Sequence, residues 1–506
     1  MALLMYFATN MKIFWSIICC FTAVFTTAKA QQAFDFNTNC QKAYEAAMSL
    51  KLEEADRFIK AEKSRNPANL IPIYLENYLD FFELFLNENP QTYNKLKPNK
   101  KKRLTLLENA SQQTPLNGFM RAVIELQWAA IEGKFGNKMS AGWGFRDALK
   151  TIKENHKKFP DFSPNLMIMG PVQMAAGTIP KGYKWLGALV GISGSLGEGK
   201  TQMAAFLKAE DPWAKLFKNE GIFYHCYLQF YLLNEPDEAL ALIRSRNLDI
   251  VNNHLFTFMA ANLSLNNKQS AQARQIVLNR NKSDVYMKTT VWDFELAYAS
   301  LYSLHPDAEI YFNRFLTNFK GQYYVKDAWH KLAFHYLLQG NMPKYNACIQ
   351  NVLSKGKQDA EADKRAYREA ASGKIPDLVL LKARLLSDGG NHREALLAMA
   401  GKATSDYNDH DDKLEFVYRL ARIYDDLGQH DKAIPTYEAA IRLGQNSTQY
   451  YAARAAMQIG LIYEEQKKYA EAIRQYQRCI DMKDHDYENS LEQKAKAGIN
   501  RCKQSR

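Results

Sequence analysis

The segment Leu414 to Cys479 contains one unit written twice. The first copy, LEFVYRLARIYDDLGQHDKAIPTYEAAIRLG, begins at Leu414, and the second, RAAMQIGLIYEEQKKYAEAIRQYQRCI, begins at Arg454. Laid over each other, Ala421 falls on Gly460, Tyr424 on Tyr463, Ala433 on Ala472, Tyr437 on Tyr476 and Ala440 on Cys479. Each copy therefore carries a small residue followed by an aromatic, then a second small residue and a second aromatic. Two antiparallel helices need that order: the small residues let the axes approach, and the aromatics fill the groove beside them.

This pattern resembles the tetratricopeptide repeat. The resemblance implies an all-α fold, an α-solenoid of antiparallel helical hairpins wound as a right-handed superhelix. Its usual use is to hold a partner protein's peptide or helix in the concave groove. Upstream copies centre on Ala383, Ala333, Ala297, Ala261 and Tyr227, and the copy at Ala333 carries the tryptophan-leucine-small-tyrosine order as Trp329, Leu332, Ala333 and Tyr336. The widest interval, Ala333 to Ala383, absorbs the charged run KGKQDAEADKRAYREAASGK, which reads as a helical insertion.

The chain thus divides into a leader (1–30), an irregular helical N-terminal region (31–210) and degenerate repeat-like hairpins (211–355). The charged insertion (356–376), regular repeats (377–480) and a C-terminal capping helix (481–506) follow. In the N-terminal region, IPIYLENYLDFFELFL (71–86) and FMRAVIELQWAAIEGKFG (119–136) repeat apolar residues at helical spacing, and alternating strand patterns are nearly absent. Four stretches in order (GWGFRDALK, KWLGALVGISGSLGEGKTQM, FELAYASLYSLHPDAEIYF and DLVLLKARLLSDGGNHREALL) resemble the inclusion-body-clearance branch of tetratricopeptide proteins. That branch is intracellular and linked to lipid droplets, so the resemblance is carried over for the fold alone.

Residues 11–30, MKIFWSIICCFTAVFTTAKA, have the parts of a cleaved export signal: Lys12, an apolar core from Ile13 to Phe25, and the small-x-small site Ala28-Lys29-Ala30 before Gln31. Met11 is then the expected true start. The apolar run is shorter than the roughly 20 residues that span a bilayer. The reading places the protein in the periplasm, cell envelope or secreted space. The formal charge of +12 includes Lys12 and Lys29 of the leader and is otherwise spread along the chain. It favours an acidic partner only weakly and leaves peripheral membrane contact open. Cys40, Cys226, Cys348, Cys479 and Cys502 follow the leader at wide spacing, which fits buried thiols; a Cys479–Cys502 bridge is the alternative.

The groove of such an array is lined by the first helix of each hairpin. Arg384 and Arg422 fall one residue after the small position of neighbouring repeats, Tyr418 and Met457 lie near the groove, and Arg419 and Arg454 lie on nearby turns. Stacked guanidiniums beside Tyr418 make a clamp for a carboxylate or an acidic peptide. The plain alternative is a solvated face paired with Asp425, Asp426 and Glu464.

GSLGEGKT (194–201) satisfies the phosphate-loop pattern through Gly194, Gly199, Lys200 and Thr201. A nucleotide-binding enzyme built on it is the competing function, but it requires a parallel sheet, and no series of strands is legible. A lipid-associated protein, suggested by the aromatic helix at 71–86, is the other. NKLKPNKKKR (94–103) reads as a solvated loop running into a helix, not as a nucleic-acid patch. No catalytic, cofactor or metal set stands out, and His410 and His485 simply sit in acidic loops. The expectation is a non-catalytic scaffold without cofactor, holding a protein partner and no nucleic acid.

Overall fold

The computed structural model describes residues 33–112, 114–177 and 194–505. The segment expected to be an export leader, with its expected start at Met11, and much of the Gly-rich mid-chain stretch lie outside the described residues. Within them the protein is all-α, and its one extended pairing is a single bridge between Ala33 and Asn69. The N-terminal part comprises α1 (Thr38–Met48), α2 (Leu52–Arg65), α3 (Ile71–Asn87), α4 (Pro90–Leu96), α5 (Pro98–Glu108), α6 (Pro115–Lys134), α7 (Lys138–Lys158), α8 (Pro164–Gly177) and α9 (Leu196–Lys208). Hairpins then follow: α10 (Pro212–Tyr231) with α11 (Pro236–Ser245), α12 (His254–Asn266) with α13 (Ser270–Asn279), α14 (Val291–Tyr302) with α15 (Ala308–Asn318), and α16 (Val325–Leu338) with α17 (Met342–Ser354). The insertion contributes α18 (Glu361–Ala371). The last part is α19 (Leu378–Gly389) with α20 (His392–Ala398), α21 (His410–Asp426) with α22 (His430–Leu443), α23 (Tyr451–Glu465) with α24 (Tyr469–Asp481), and α25 (Glu488–Gln504). Apart from the insertion helix α18, which packs back on α16 and α17, each helix packs on the next, which is the neighbour-to-neighbour build of a solenoid.

The repeated small and aromatic positions do what their spacing demands. Ala421, Ala433, Tyr437, Ala440, Gly460, Ala472 and Tyr476 are all buried. The Tyr476 ring is wedged between α23 and α25: a Cβ on Gly460 would sit 2.8 Å from it, and one on Gly498 would sit 2.5 Å away. Both glycines are therefore space-makers for one tyrosine. Helix boundaries follow side-chain chemistry. Asp377 accepts from the N–H groups of Val379 and Leu380 to start α19, and Gly390 ends it at φ +92° with its backbone against the Lys268 carbonyl.

The charged insertion has a structural use. The residue opening α16, Tyr324, stands at φ 60° and offers no side-chain cap. Asp363 of α18 caps α16 from outside, accepting from Tyr324 N at 2.8 Å and Asp327 N at 3.0 Å. Burial, with the nearby Asp327 charge, pushes the Asp363 carboxyl up to about 7 in spite of those bonds.

Two expectations are corrected here. The aromatic helix α3 faces the core: Tyr74, Leu75, Tyr78 and Phe82 are buried, so they offer nothing to a lipid surface. No described helix is long and apolar enough to cross a membrane. The basic run at 94–103 is largely helical, not a solvated loop. Its Arg103 is buried, donating to Asp80 at 2.6 Å and to Asn77 at 3.1 Å, while Trp128 Nε1 donates to the same Asn77 carbonyl at 2.9 Å.

The end of the array does not stop in solvent. Helix α25 packs on α24 and reaches α9. Arg501 donates to the Leu232 carbonyl at 2.9 Å, and a Cβ on Gly197 would lie 2.8 Å from the Gln504 amide. Farther along, Ser270 Oγ donates to the Gly389 carbonyl at 2.8 Å. The C-terminal repeats are thus seated on the chain's own earlier helices.

Candidate functional site

The six groove residues separate into two groups. Arg384, Tyr418 and Arg419 are 8 %, 3 % and 3 % exposed and belong to an internal charge network. Its centre is Glu369 of α18. Arg365 donates to Glu369 through Nε; Arg384 lies 3.7 Å and His330 3.6 Å from its other oxygen. Burial alone would raise the Glu369 carboxyl, but the charges of Arg365, Arg384, His330 and Lys331 overcome it and hold the group well below the usual carboxylate range. Arg419 is held by Glu415 through Nε at 3.0 Å and Nη2 at 2.9 Å, with Tyr418 and Tyr451 each 5.5 Å from its guanidinium. These cations already have carboxylates: the insertion's Glu369 serves Arg365 and Arg384, and Glu415 serves Arg419. Sequence spacing could not reveal this, because the insertion lies outside the repeat register.

Arg422, Arg454 and Met457 line a cavity of about 550 Å³. Its walls come from both ends of the hairpin array: α21 and α23 on one side, Tyr231 of α10 and Lys268 of the α12–α13 turn on the other, with α25 contributing Lys494 and Arg501. The lining carries five Lys and Arg residues against two carboxylates, Asp237 and Asp426. Asp426 is shared by Lys268, by Arg422 at 3.4 Å and by His392 at 3.5 Å. Arg501 is taken by Glu464 through two bonds of 2.7 and 2.8 Å. Arg454 and Lys494 have no carboxylate partner among the described residues. Arg422 Nη1 is buried with no hydrogen-bond partner. Burial, then the charges of Arg454 and Arg422, pull the Lys494 ammonium down to about 7. Sequence reading missed Lys268, His392, Lys494 and Arg501. The Lys-rich face of α25 reads as an outer face, and only its seating on the earlier helices turns Lys494 inward.

The tetratricopeptide-repeat family model matches residues 414–484, the stretch that spans α21 to α24. Residues 414–484 are tetratricopeptide repeats. The match is to the repeat itself and carries no information on the inclusion-body-clearance branch. Comparison with curated proteins yields no sequence match. Among solved structures, the APC/C hetero-tetramer Cut9–Hcn1 is similar at 12 % identity, covering 90 % of this chain and 95 % of that one, with a TM-score of 0.25. A score that low carries no argument, so the architecture rests on this chain's own helices and the repeat match.

Outside the tetratricopeptide repeats, the phosphate-loop pattern is corrected. Gly194 and Ser195 precede α9, and Gly197 to Thr201 already lie within the helix, with Gly199 N bonded to the Ser195 carbonyl at 3.0 Å. An amide spent on an intrahelical bond cannot cradle a phosphate. Gly199 instead permits close approach of α8, since a Cβ there would lie 2.5 Å from the Gly170 carbonyl. Lys200 points to Glu235 at 3.3 Å and Thr201 Oγ1 donates to the Gly197 carbonyl. The nucleotide-dependent enzyme reading therefore loses its geometry. The Cys479–Cys502 bridge is also corrected: all five described cysteines are buried thiols, not half-cystines. No cluster of His, Cys, Asp and Glu among the described residues has the form of a metal site.

Proposed function

We propose that the protein is a non-catalytic scaffold of the cell envelope, periplasm or secreted space that holds an acidic segment of a partner protein. The observation that carries this reading is the cavity wall. The first helices of two matched tetratricopeptide hairpins, α21 and α23, present Arg422, Arg454, Met457 and Leu461 to an open, positively charged space. Helical repeats use such faces to hold a peptide or helix, and charge of one sign selects a partner of the other. The leader at 11–30 supports export of the chain. Arg384, Tyr418 and Arg419 act in this scheme as the support behind the wall, fixing the inner helices through Glu369 and Glu415.

The test is site-specific photo-crosslinking in cells. A photoreactive residue at Leu461, on the cavity wall, is expected to capture a defined protein, and one at Leu397, 73 % exposed on α20, is not. Arg454→Glu is expected to reduce the Leu461 adduct at least tenfold by reversing the charge beside the site. Adducts confined to Leu397, or a Leu461 adduct indifferent to Arg454→Glu, contradict the proposal.

A further inference from the structure

We infer that the cavity between α10, α12, α21, α23 and α25 is a binding site for a phosphate monoester, seated by Arg422, Arg454 and Lys494. This rests on the same cavity as the scaffold reading, but not on a partner chain being what delivers the anion.

The argument begins with what remains after the protein has paired its own charges. Lys268 and Arg422 both lean on the single carboxylate of Asp426, and Arg501 is fully engaged by Glu464. That leaves Arg454 and Lys494 without a counter-charge, and the Nη1 of Arg422 buried without an acceptor. Like charges held together in a half-buried space repel, and a buried guanidinium N–H without a partner is destabilising. Burial first, and then the charges of Arg454 and Arg422, lower the Lys494 ammonium. The lining also holds Tyr231, whose ring centroid lies 6.0 Å from Nζ, and Tyr476, neither of which is charged at neutral pH; its two carboxylates are Asp426, already taken by Lys268 and Arg422, and Asp237, which accepts from Asn267 Nδ2.

The unmet demand is for negative charge and acceptor oxygens in one place. A carboxylate brings one charge and two oxygens. A phosphate monoester brings a charge of about −1.5 to −2 at pH 7 and three acceptor oxygens, matching one guanidinium, one free Nη1 and one ammonium. The 550 Å³ of space exceeds what a bare phosphate fills, so the group attached to the phosphorus has room against Tyr231, Met457 and Leu461. Because α10 and α25 meet across this cavity, a ligand bridging Arg422 and Arg454 to Lys494 also ties the C-terminal helix to the repeats it covers.

Calorimetric titration of the full chain with phenyl phosphate tests this. Saturable binding is expected, weakened at least tenfold by Arg454→Gln and by Lys494→Gln, each of which retains a polar side chain. Lys200→Gln, outside the cavity and paired only with surface Glu235, is expected to leave binding unchanged. Circular dichroism establishes that each variant is folded. A phosphoserine heptapeptide binding more tightly than phenyl phosphate assigns the phosphate to a partner chain, and the reverse order assigns it to a small molecule; either supports the site. Absence of binding by both phosphate probes overturns it. If a glutamate-rich peptide then binds with dependence on Arg454, the scaffold reading stands without the phosphate. Phosphate binding that is indifferent to both cavity variants overturns the site as well.

Discussion

Glu369→Ala is expected to destabilise the protein by about 3–5 kcal/mol, the range for removing one partner from a buried ion pair. The effect is large because Glu369 serves two buried guanidiniums at once, Arg365 and Arg384, with Lys331 close behind; the His330 ring, 3.6 Å away, is pulled down to about 4 by burial and is neutral at neutral pH. Removal leaves Arg365 and Arg384, both nearly inaccessible, facing each other uncompensated. Glu369→Gln, which keeps volume and loses charge, is expected to cost nearly as much, and this separates electrostatics from packing. In the Glu369→Gln background, Arg384→Met is expected to cost less than on the native chain, the signature of a coupled pair. Urea denaturation followed by circular dichroism measures all four. The pH dependence has a fixed sign. The folded-state carboxyl titrates below its ordinary value of 4.5, so this contribution is complete above about pH 4.5 and is lost as pH falls through the folded-state value. The Glu369→Gln variant lacks that loss. If its acid unfolding profile retains the native steepness below pH 4.5, the network is not what the geometry indicates.

Glu220→Ala is the second large effect, expected at about 3 kcal/mol or more. Glu220 is buried on α10 and accepts from three tyrosines: Tyr44 of α1 at 2.7 Å, Tyr78 of α3 at 2.8 and 2.9 Å, and Tyr224 at 2.6 Å. Those bonds join segments 142 and 176 residues apart and fasten the first hairpin to the middle of the chain. Burial pushes the Glu220 carboxyl up, against the tyrosine hydrogen bonds. Truncation removes the acceptor of the Tyr44 and Tyr224 hydroxyls and leaves Tyr78 only its bond with the Tyr74 hydroxyl at 2.9 Å, each orphaned hydroxyl costing about 1–3 kcal/mol before any relaxation. Glu220→Gln keeps an acceptor and is expected to cost roughly 1 kcal/mol. Hydrogen exchange at the α1 and α3 amides reads the effect locally. Equal losses for the two variants contradict the hydrogen-bond account and point to packing.

How much of this was legible in the sequence depends on how local the cause is. The hairpin pattern from Ala421 to Cys479 is a short-range code of small and aromatic residues, and its positions become the buried contacts around Tyr437 and Tyr476. The groove face of the repeats was read from the same local spacing, and three of its residues, Arg422, Arg454 and Met457, line one cavity. What sequence could not give is contact between distant segments. Glu369 reaches Arg384 from an insertion outside the repeat register, Lys268 meets Asp426 across 158 residues, and Arg501 meets Leu232 across 269. The glycines of 194–201 show the converse failure. A pattern that cradles phosphate when a sheet lies behind it serves close helix packing when a helix lies there instead.

The account turns on the return of the C-terminal helix to the earlier helices, because without it there is no cavity. Gly197→Cys with Gln504→Cys, treated with a short bis-maleimide, measures that return directly. The native thiols are buried and compete poorly. The seating of α25 beside α9 predicts a rapid intramolecular cross-link, seen by mass spectrometry as one bridging reagent per chain. Separate single additions at the two cysteines, with no bridged species, would contradict it.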